Sequence, residues 1–452
     1  REQLPDPVVP LGLLYVMEAV DGSHDKRLVD LCFEEEPLAT LDARLREQQP
    51  QLVAIGLRNI QNNDYAGIQD NLAYYGALIR QVRSSTQAKI VIGGSAFSVM
   101  PEKLMALLRP DFGIWGEGEG PLPALIRALE AGGEGIEAIP NLFRMQGETP
   151  LAASIQPAFV DMDAAPIPSR AALDARYYQL SGTESVQTKR GCNLRCDYCT
   201  YPLVEGRVTR RRAPRLVVDE LLSLHRERPD TRHVFIVDSV FNLPPMHAKA
   251  VCEEMIARGP AIPWTCYVNP LRFDDELASL MVRAGCAGIE IGSDSGLDEV
   301  LLRLRKGFDV AAIRRAHEIA ARAGLKDCHS FILGTPGESL EDVQRTIDFI
   351  VELDPFAVVI GVWVDEHEAL DPSLRKERRK LRDAINERLR GEHDRYPRWV
   401  IPSAGINFDP RLFSLLRRAG LHGPLWQHID ALPTRRRRRR PFAPATAIER
   451  DQ

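Results

Sequence analysis

Short apolar runs of strand length recur along this chain with amphipathic, helix-length stretches between them, and the pattern occurs twice. The first series has runs at Leu11–Val16, Leu52–Leu57, Lys89–Gly94 and Asp111–Trp115, separated by stretches such as Ile68–Val82 and Glu102–Leu108. Runs this apolar are buried on both faces, so each series predicts a parallel sheet wrapped by helices, an α/β fold. The second series runs Ser185–Thr188, Val234–Val237, Thr265–Val268, Gly288–Gly292, His329–Leu333 and Ala357–Val362. Helical stretches intervene at Leu216–His225, His247–Ala257, Asp275–Ala284, Val310–Ala323 and Leu340–Leu353. Six strand–helix units predict a partial (β/α)6 barrel of TIM type, with its chemistry at the strand carboxyl ends.

Between the series, Ala131–Gly135 is glycine-rich and Pro140–Ser169 carries several prolines, which reads as a linker. The expected organisation is a Rossmann-like domain over 1–140, a linker over 141–184 and the barrel over 185–370. A small, mainly helical, charged region over 371–452 follows, containing the run Arg435–Arg440. Lys+Arg 58 against Asp+Glu 63 leaves a net charge of −5, a poor start for a protein that neutralises phosphates. The arginine run is therefore read as a solvated tail, and nucleic acid is not an expected partner. No segment has the roughly 20 apolar residues that span a bilayer, so no membrane is expected. Leu11–Val20 contains Glu18 and lacks a basic leader, so it is not read as a signal peptide.

Three of the 8 cysteines, Cys192, Cys196 and Cys199, form C-x3-C-x2-C directly after the first strand of the second series. A loop of this kind wraps three thiolates around a cubic iron–sulfur cluster and leaves one iron open for a substrate or cofactor. A structural zinc site wants four ligands, and no second C-x2-C pair exists. Cys252 and Cys286 read as core thiols, and Cys266 and Cys328 lack a partner spacing. Clustered thiols of this type fit a reducing, cytoplasmic compartment.

This loop resembles that of the radical S-adenosylmethionine superfamily. The resemblance continues through Tyr201–Gly206, Asp238-Ser-Val-Phe-Asn242, Gly288-Ile-Glu-Ile-Gly-Ser-Asp-Ser-Gly296 and Leu333-Gly-Thr-Pro-Gly-Glu338. It implies a [4Fe-4S] cluster on the three cysteines that chelates S-adenosylmethionine, with Tyr198 near the adenine. Asp238, Ser239, Glu290 and Ser293 are the other candidate contacts to S-adenosylmethionine. An α/β domain ahead of such a barrel resembles the cobalamin-binding domain of cobalamin-dependent members. Gly93-Gly94-Ser95 and Trp115-Gly116-Glu117-Gly118-Glu-Gly120 carry that likeness and are the candidate cobalamin contacts. A nicotinamide site is disfavoured because no G-x-G-x-x-G follows the first strand.

The histidine motif D-x-H-x-x-G, which would ligate cobalt, is absent; the region reads Asp21-Gly-Ser-His24-Asp-Lys, and His24 is read as a loop residue. Arg58 and Asn59 follow the second strand, and Arg58 is expected beneath the corrin, discouraging a lower ligand. Tyr267 and Asn269 end a barrel strand, and Tyr267 is placed to orient or deprotonate a substrate, making it and Arg58 the candidate catalytic residues. Many relatives carry G-x-R-x-Y-x-x-T on the last strand; here Gly361-Val-Trp363-Val-Asp365-Glu-His367 makes Trp363, Asp365 and His367 pocket-lining candidates. One of Arg207 and Arg210–Arg212 is a candidate to meet a carboxylate.

The resemblance implies a C-methyltransferase acting on a small molecule in natural-product metabolism, with S-adenosylmethionine as methyl source and cobalamin as carrier. In the common scheme a second S-adenosylmethionine is cleaved to a radical. In a variant typified by tryptophan 2-C-methyltransferases, an aromatic carbon takes the methyl group directly. The competing readings are a cobalamin-containing oxidase or cyclase and an RNA-modifying enzyme. An electron donor such as flavodoxin or ferredoxin is the expected protein partner; the sequence leaves the oligomeric state open and is compatible with a monomer.

Overall fold

The computed structural model describes residues 7–64, 67–152, 158–364, 372–393, 396 and 398–431. In the first domain, strands β1 (Leu52–Gly56), β2 (Lys89–Gly93) and β3 (Phe112–Ile114) pair in parallel, with Ile55 opposite Ile92 and Val91 opposite Phe112. Two antiparallel strands, β4 (Leu142–Gln146) and β5 (Thr149–Ala152), continue this sheet past residue 140 into the segment read as linker. They are joined by a tight turn in which Gly147 adopts φ +60°.

The first apolar run is not a strand. Leu11–Ala19 is a helix that buries Leu11, Leu14 and Tyr15. Its residues include the good helix formers Leu, Met, Glu and Ala, Val16 alone is branched at Cβ, and Pro10 precedes the first turn. A short run that is apolar all round carries no period to distinguish strand from helix.

The barrel strands are β6 (Thr183–Val186), β7 (His233–Ile236), β8 (Trp264–Val268), β9 (Cys286–Asp294), β10 (Lys326–Leu333) and β11 (Ala357–Val362). Each pairs in parallel with the next. A seventh strand, β12 (Trp399–Val400), from the carboxyl-terminal region, extends the sheet beyond the expected six. The helices Val310–Ala323 and Leu340–Leu353 begin where Asp309 and Ser339 cap them, the latter in a capping box with Asp342.

Alternation along the strands positions the site. Outward residues Ile236, Cys266, Ile289, Ile291, Phe331 and Ile360 are buried under the helices. Inward neighbours Phe235, Tyr267, Glu290, Ser330, Val359 and Gly361 are all partly exposed. The interior is therefore open rather than filled by layered side chains, as it would be in a closed eight-stranded barrel. From below, the segment Leu425–Ala431 closes the barrel: Trp426 packs with Cys328, Ala357 and Phe356. Among the described residues, no helix is long and apolar enough to cross a membrane.

Candidate active site

Cys192, Cys196 and Cys199 lie on the loop after Lys189–Arg190, at the carboxyl end of β6, and all are free thiols. Cys192 is buried and the other two are partly exposed. The loop is tied at both flanks, with the Cys192 amide donating to the Gly206 carbonyl at 3.1 Å and the Asp197 amide to that of Leu304 at 3.0 Å. Gly191 has φ +83° and a Cβ there would meet the Val208 carbonyl at 2.1 Å, so only glycine permits this entry to the loop. Burial raises the thiols of Cys196 and Cys199 above the ordinary cysteine range, while Lys306 opposes that shift.

Beside the loop, the Tyr198 hydroxyl donates to Asp294 Oδ2 at 2.5 Å, and Lys306 Nζ reaches the same carboxylate oxygen at 2.7 Å. The Trp363 ring meets Tyr198 edge-on at 6.1 Å. Tyr198, Asp294, Lys306 and Trp363 thus form one wall at the carboxyl ends of β9 and β11, next to the cysteines. Asp294 takes φ +60° at a break in the β9–β10 register, which re-aims its side chain toward the loop. Asp294 and Lys306 were missed in the sequence: the first lay unremarked inside a quoted motif, and the second carries no motif at all.

The other expected contacts divide. Asp238 is buried and accepts from the Thr188 amide at 2.8 Å and hydroxyl at 2.6 Å, so it knits the ends of β6 and β7 beneath the loop. Ser239 is partly exposed beside it. Ser293 faces away from the mouth: its hydroxyl pairs with His329 Nδ1 at 2.8 Å in the layer under the helix Val310–Ala323, because its position on β9 is an outward one. That corrects its reading as a cofactor contact. Glu290 points inward, four residues down the strand from Asp294, and accepts from the Trp426 indole N–H at 2.9 Å. Tyr267 stands opposite it on β8, its hydroxyl pushed up first by the Glu290 carboxylate and then by burial. Tyr201, just past Cys199, is pushed up to about 12 by burial, with Arg58 acting to lower it. Arg58 acts to lower Tyr267 too, an interaction between the first domain and the barrel.

In the first domain, Gly94 has φ +91° and a Cβ there would lie 2.6 Å from the Leu57 carbonyl. Gly94 and Ser95 are exposed at the carboxyl end of β2, and the Ser95 hydroxyl donates to the Arg58 carbonyl at 2.6 Å. The Asn59 carbonyl is held by the Tyr75 hydroxyl at 2.7 Å. These loops present flush backbone to a large ligand, as sheet carboxyl ends do in open α/β folds. The Gly116–Gly118 loop also meets the second domain. Glu117 is buried and binds Arg210 at 2.6 and 2.9 Å, while Gly118 backs onto Val16. This loop clamps the two domains, so the Glu117 side chain is taken up by Arg210, while Gly116 and Gly118 are partly exposed. Arg190, adjoining the cysteine loop, joins the clamp through Glu119 at 2.7 Å. Of the candidate arginines, Arg210 and Arg212 both meet carboxylates, Glu117 and Glu220, and both carboxylates are the protein's own. His24 lies in a loop and pairs with Glu130 at 3.1 Å. Asp365, His367 and Arg435–Arg440 lie outside the described residues.

Residues 186–350 match the family model of the radical SAM superfamily, and residues 2–126 that of the B12 binding domain. Tryptophan 2-C-methyltransferase of Streptomyces laurentii is 28% identical over 425 residues, covering 79% of this chain and 70% of the relative. The structure of the radical S-adenosylmethionine methyltransferase TsrM from Kitasatospora setae, with cobalamin and [4Fe-4S] cluster bound, aligns with a TM-score of 0.72. Its identity is 26%, over 79% of this chain and 70% of that one. TsrM with tryptophan and a S-adenosylmethionine analogue aligns with a TM-score of 0.73 at 25% identity, over 80% and 71% of the two chains. The chain is a cobalamin-dependent radical S-adenosylmethionine methyltransferase.

The residues present fit the groups that this family uses. Three free thiols on one loop, with no fourth, suit a [4Fe-4S] cluster with an open iron. The exposed Gly94–Ser95 backbone suits cobalamin at the β2 end, and the Tyr198–Asp294–Lys306–Trp363 wall lies where S-adenosylmethionine on that iron would extend.

Proposed function

We propose that the methyl acceptor is an electron-rich aromatic carbon of a small nitrogen-containing molecule of the tryptophan type, and that it is reached without a substrate radical. One observation carries this reading: the open barrel interior carries polar groups side by side, Tyr267 and Glu290 opposite each other on adjoining strands and both partly exposed. An interior built only to hold an unactivated alkyl group would be apolar. The likeness to tryptophan 2-C-methyltransferase supports the same class.

Cobalamin, when bound, relays the methyl group between S-adenosylmethionine and the acceptor. The chain supplies the placement. Tyr198, Lys306 and Asp294 hold the adenosyl end beside the cysteines, with Asp238 and Ser239 supporting the loop. Gly93, Gly94, Ser95 and Asn59 would hold the corrin, and Arg58 would lie against it, in a chain that lacks the cobalt-ligating histidine motif. Tyr267 stays protonated at neutral pH, so it orients the acceptor as a hydrogen-bond donor rather than serving as a resident base. A monomer in a reducing compartment, served by a flavodoxin- or ferredoxin-type donor, completes the reading; the eight free thiols support the compartment.

The test is anaerobic reconstitution with iron, sulfide and cobalamin, then turnover of L-tryptophan with methyl-labelled S-adenosylmethionine. The expected result is label on a ring carbon with no stoichiometric 5′-deoxyadenosine. Stoichiometric 5′-deoxyadenosine would exclude the polar route.

A further inference from the structure

Glu290 shares with Glu205 and Glu338 the lack of an arginine or lysine at ion-pair distance among the described residues, and of the three it is the one on a barrel strand. Glu117, Glu119, Glu184, Glu220 and Asp294 are all enclosed, and each faces an arginine or lysine. Glu290 is enclosed by the barrel yet has no cation within ion-pair distance among the described residues; its hydrogen bond is to the Trp426 indole. Burial accordingly pushes its carboxyl up, opposed by that single N–H. An uncompensated carboxylate is costly in the folded state and persists where a ligand completes it.

Its place separates it from the cofactor wall. At about 3.3 Å per residue, Glu290 lies roughly 13 Å down β9 from Asp294, which marks the cysteine-loop end. It sits in the same cross-strand layer as Tyr267 and Cys328. The layer below is closed, since a Cβ on Gly288 would meet the Trp426 ring at 2.7 Å and the Lys326 carbonyl at 2.8 Å. Glu290 is thus the floor of the open interior, with one oxygen fixed by Trp426 and the other without a hydrogen bond among the described residues.

We infer that Glu290 binds the substrate rather than S-adenosylmethionine, by accepting a hydrogen bond from a proton-bearing nitrogen of the methyl acceptor, with Trp426 as the residue that positions it. This rests on the reading of the acceptor as a nitrogen-containing aromatic and fixes how that molecule enters: nitrogen toward the floor, the carbon to be methylated toward the corrin. The nitrogen donor is a ring N–H or an ammonium, and one truncation of each tells them apart. No new covalent step is required of the chain.

Equilibrium dialysis of the reconstituted holoenzyme, without S-adenosylmethionine, against L-tryptophan, 1-methyl-L-tryptophan and indole-3-propionate tests the inference. Wild type should bind L-tryptophan at least tenfold more tightly than one analogue: 1-methyl-L-tryptophan if the ring N–H is read, indole-3-propionate if the ammonium is. In Glu290→Ala that preference should collapse to within about twofold, while Glu290→Gln, an acceptor without charge, should restore part of it. Cobalamin and cluster absorbance should be unchanged in both variants, since a cofactor contact would disturb them. Preference retained in Glu290→Ala would overturn the inference. Wild type that binds none of the three probes would overturn it together with the proposed acceptor class. Binding of L-tryptophan without methyl product would overturn the proposed function and leave Glu290's role standing.

Discussion

Glu220 and Glu290 are both carboxylates enclosed by the barrel half of the molecule, and their surroundings differ in kind. Glu220 sits at the domain interface between Arg170 and Arg212, with the Tyr15 hydroxyl of the first domain donating at 2.9 Å. Each of its oxygens meets a fixed donor, and none faces open space. Glu290 has one indole N–H and an open side. In the first case the protein spends opposite charge to fix two domains in one geometry; in the second it leaves a charge for something else to match. Buried charge alone therefore does not mark function here; the sharper marker is a carboxylate without counter-charge on a strand that lines the open barrel.

The comparison can be broken at either end. Cys199→Ala has the largest expected effect: without the third ligand the cluster is lost, iron content and visible absorbance fall, and methyl transfer drops to background. Glu220→Gln comes next. It leaves Arg170 and Arg212 buried with one carboxylate fewer, and should cost about 3–5 kcal/mol of stability by denaturant unfolding. If Glu220→Gln were silent, the interface network would not be what holds the domains.

Glu290→Gln sharpens the contrast. It removes no ion pair, so stability should change by less than about 1 kcal/mol while substrate affinity falls. Equal destabilisation by the two Gln variants would erase the distinction between them.

A pH experiment addresses the barrel floor. His233 is buried, hydrogen-bonded to the Thr265 hydroxyl at 2.9 Å, and depressed to about 3 by burial. Its folded value lies below the ordinary 6.5, so the neutral form's contribution is complete above pH 6.5. Stability should then fall as pH drops from 6.5 toward 3, by up to about 1.4 kcal/mol per unit, as the unfolded chain takes up the proton first. His233→Asn should flatten that segment of the stability profile. The smallest effect is expected from Trp426→Phe, which keeps the packing and removes one hydrogen bond of about 1 kcal/mol. It should raise KM several-fold with little change in kcat.

Much of the fold was legible. The strand Ala357–Val362 and the helices Val310–Ala323 and Leu340–Leu353 appear where their periodicity and caps put them. The first helix and the antiparallel pair β4–β5 were not legible. An evenly apolar nine-residue run carries no period, and an antiparallel extension is decided by which sheet edge is free. At the site, the three cysteines and Tyr198 were read from one loop because their ligand role is set by local spacing. Ser293 and Glu117 were misread for the opposite reason: their loops are correct, but their side chains face the helix layer and the domain interface.

The sequence by itself determined two α/β units, the strand after which a cluster loop must open, and the three thiolates of that loop. Those follow from local rules, namely apolar runs of strand length, caps, and ligand spacing within a few residues. The tertiary structure decided which polar groups face one another: Lys306 across from Tyr198, Arg190 and Arg210 against the first domain, and Trp426 beneath Glu290. Those pairs are separated by up to 136 residues, and burial and charge matching, unlike strand period, leave no trace in the order of neighbouring residues.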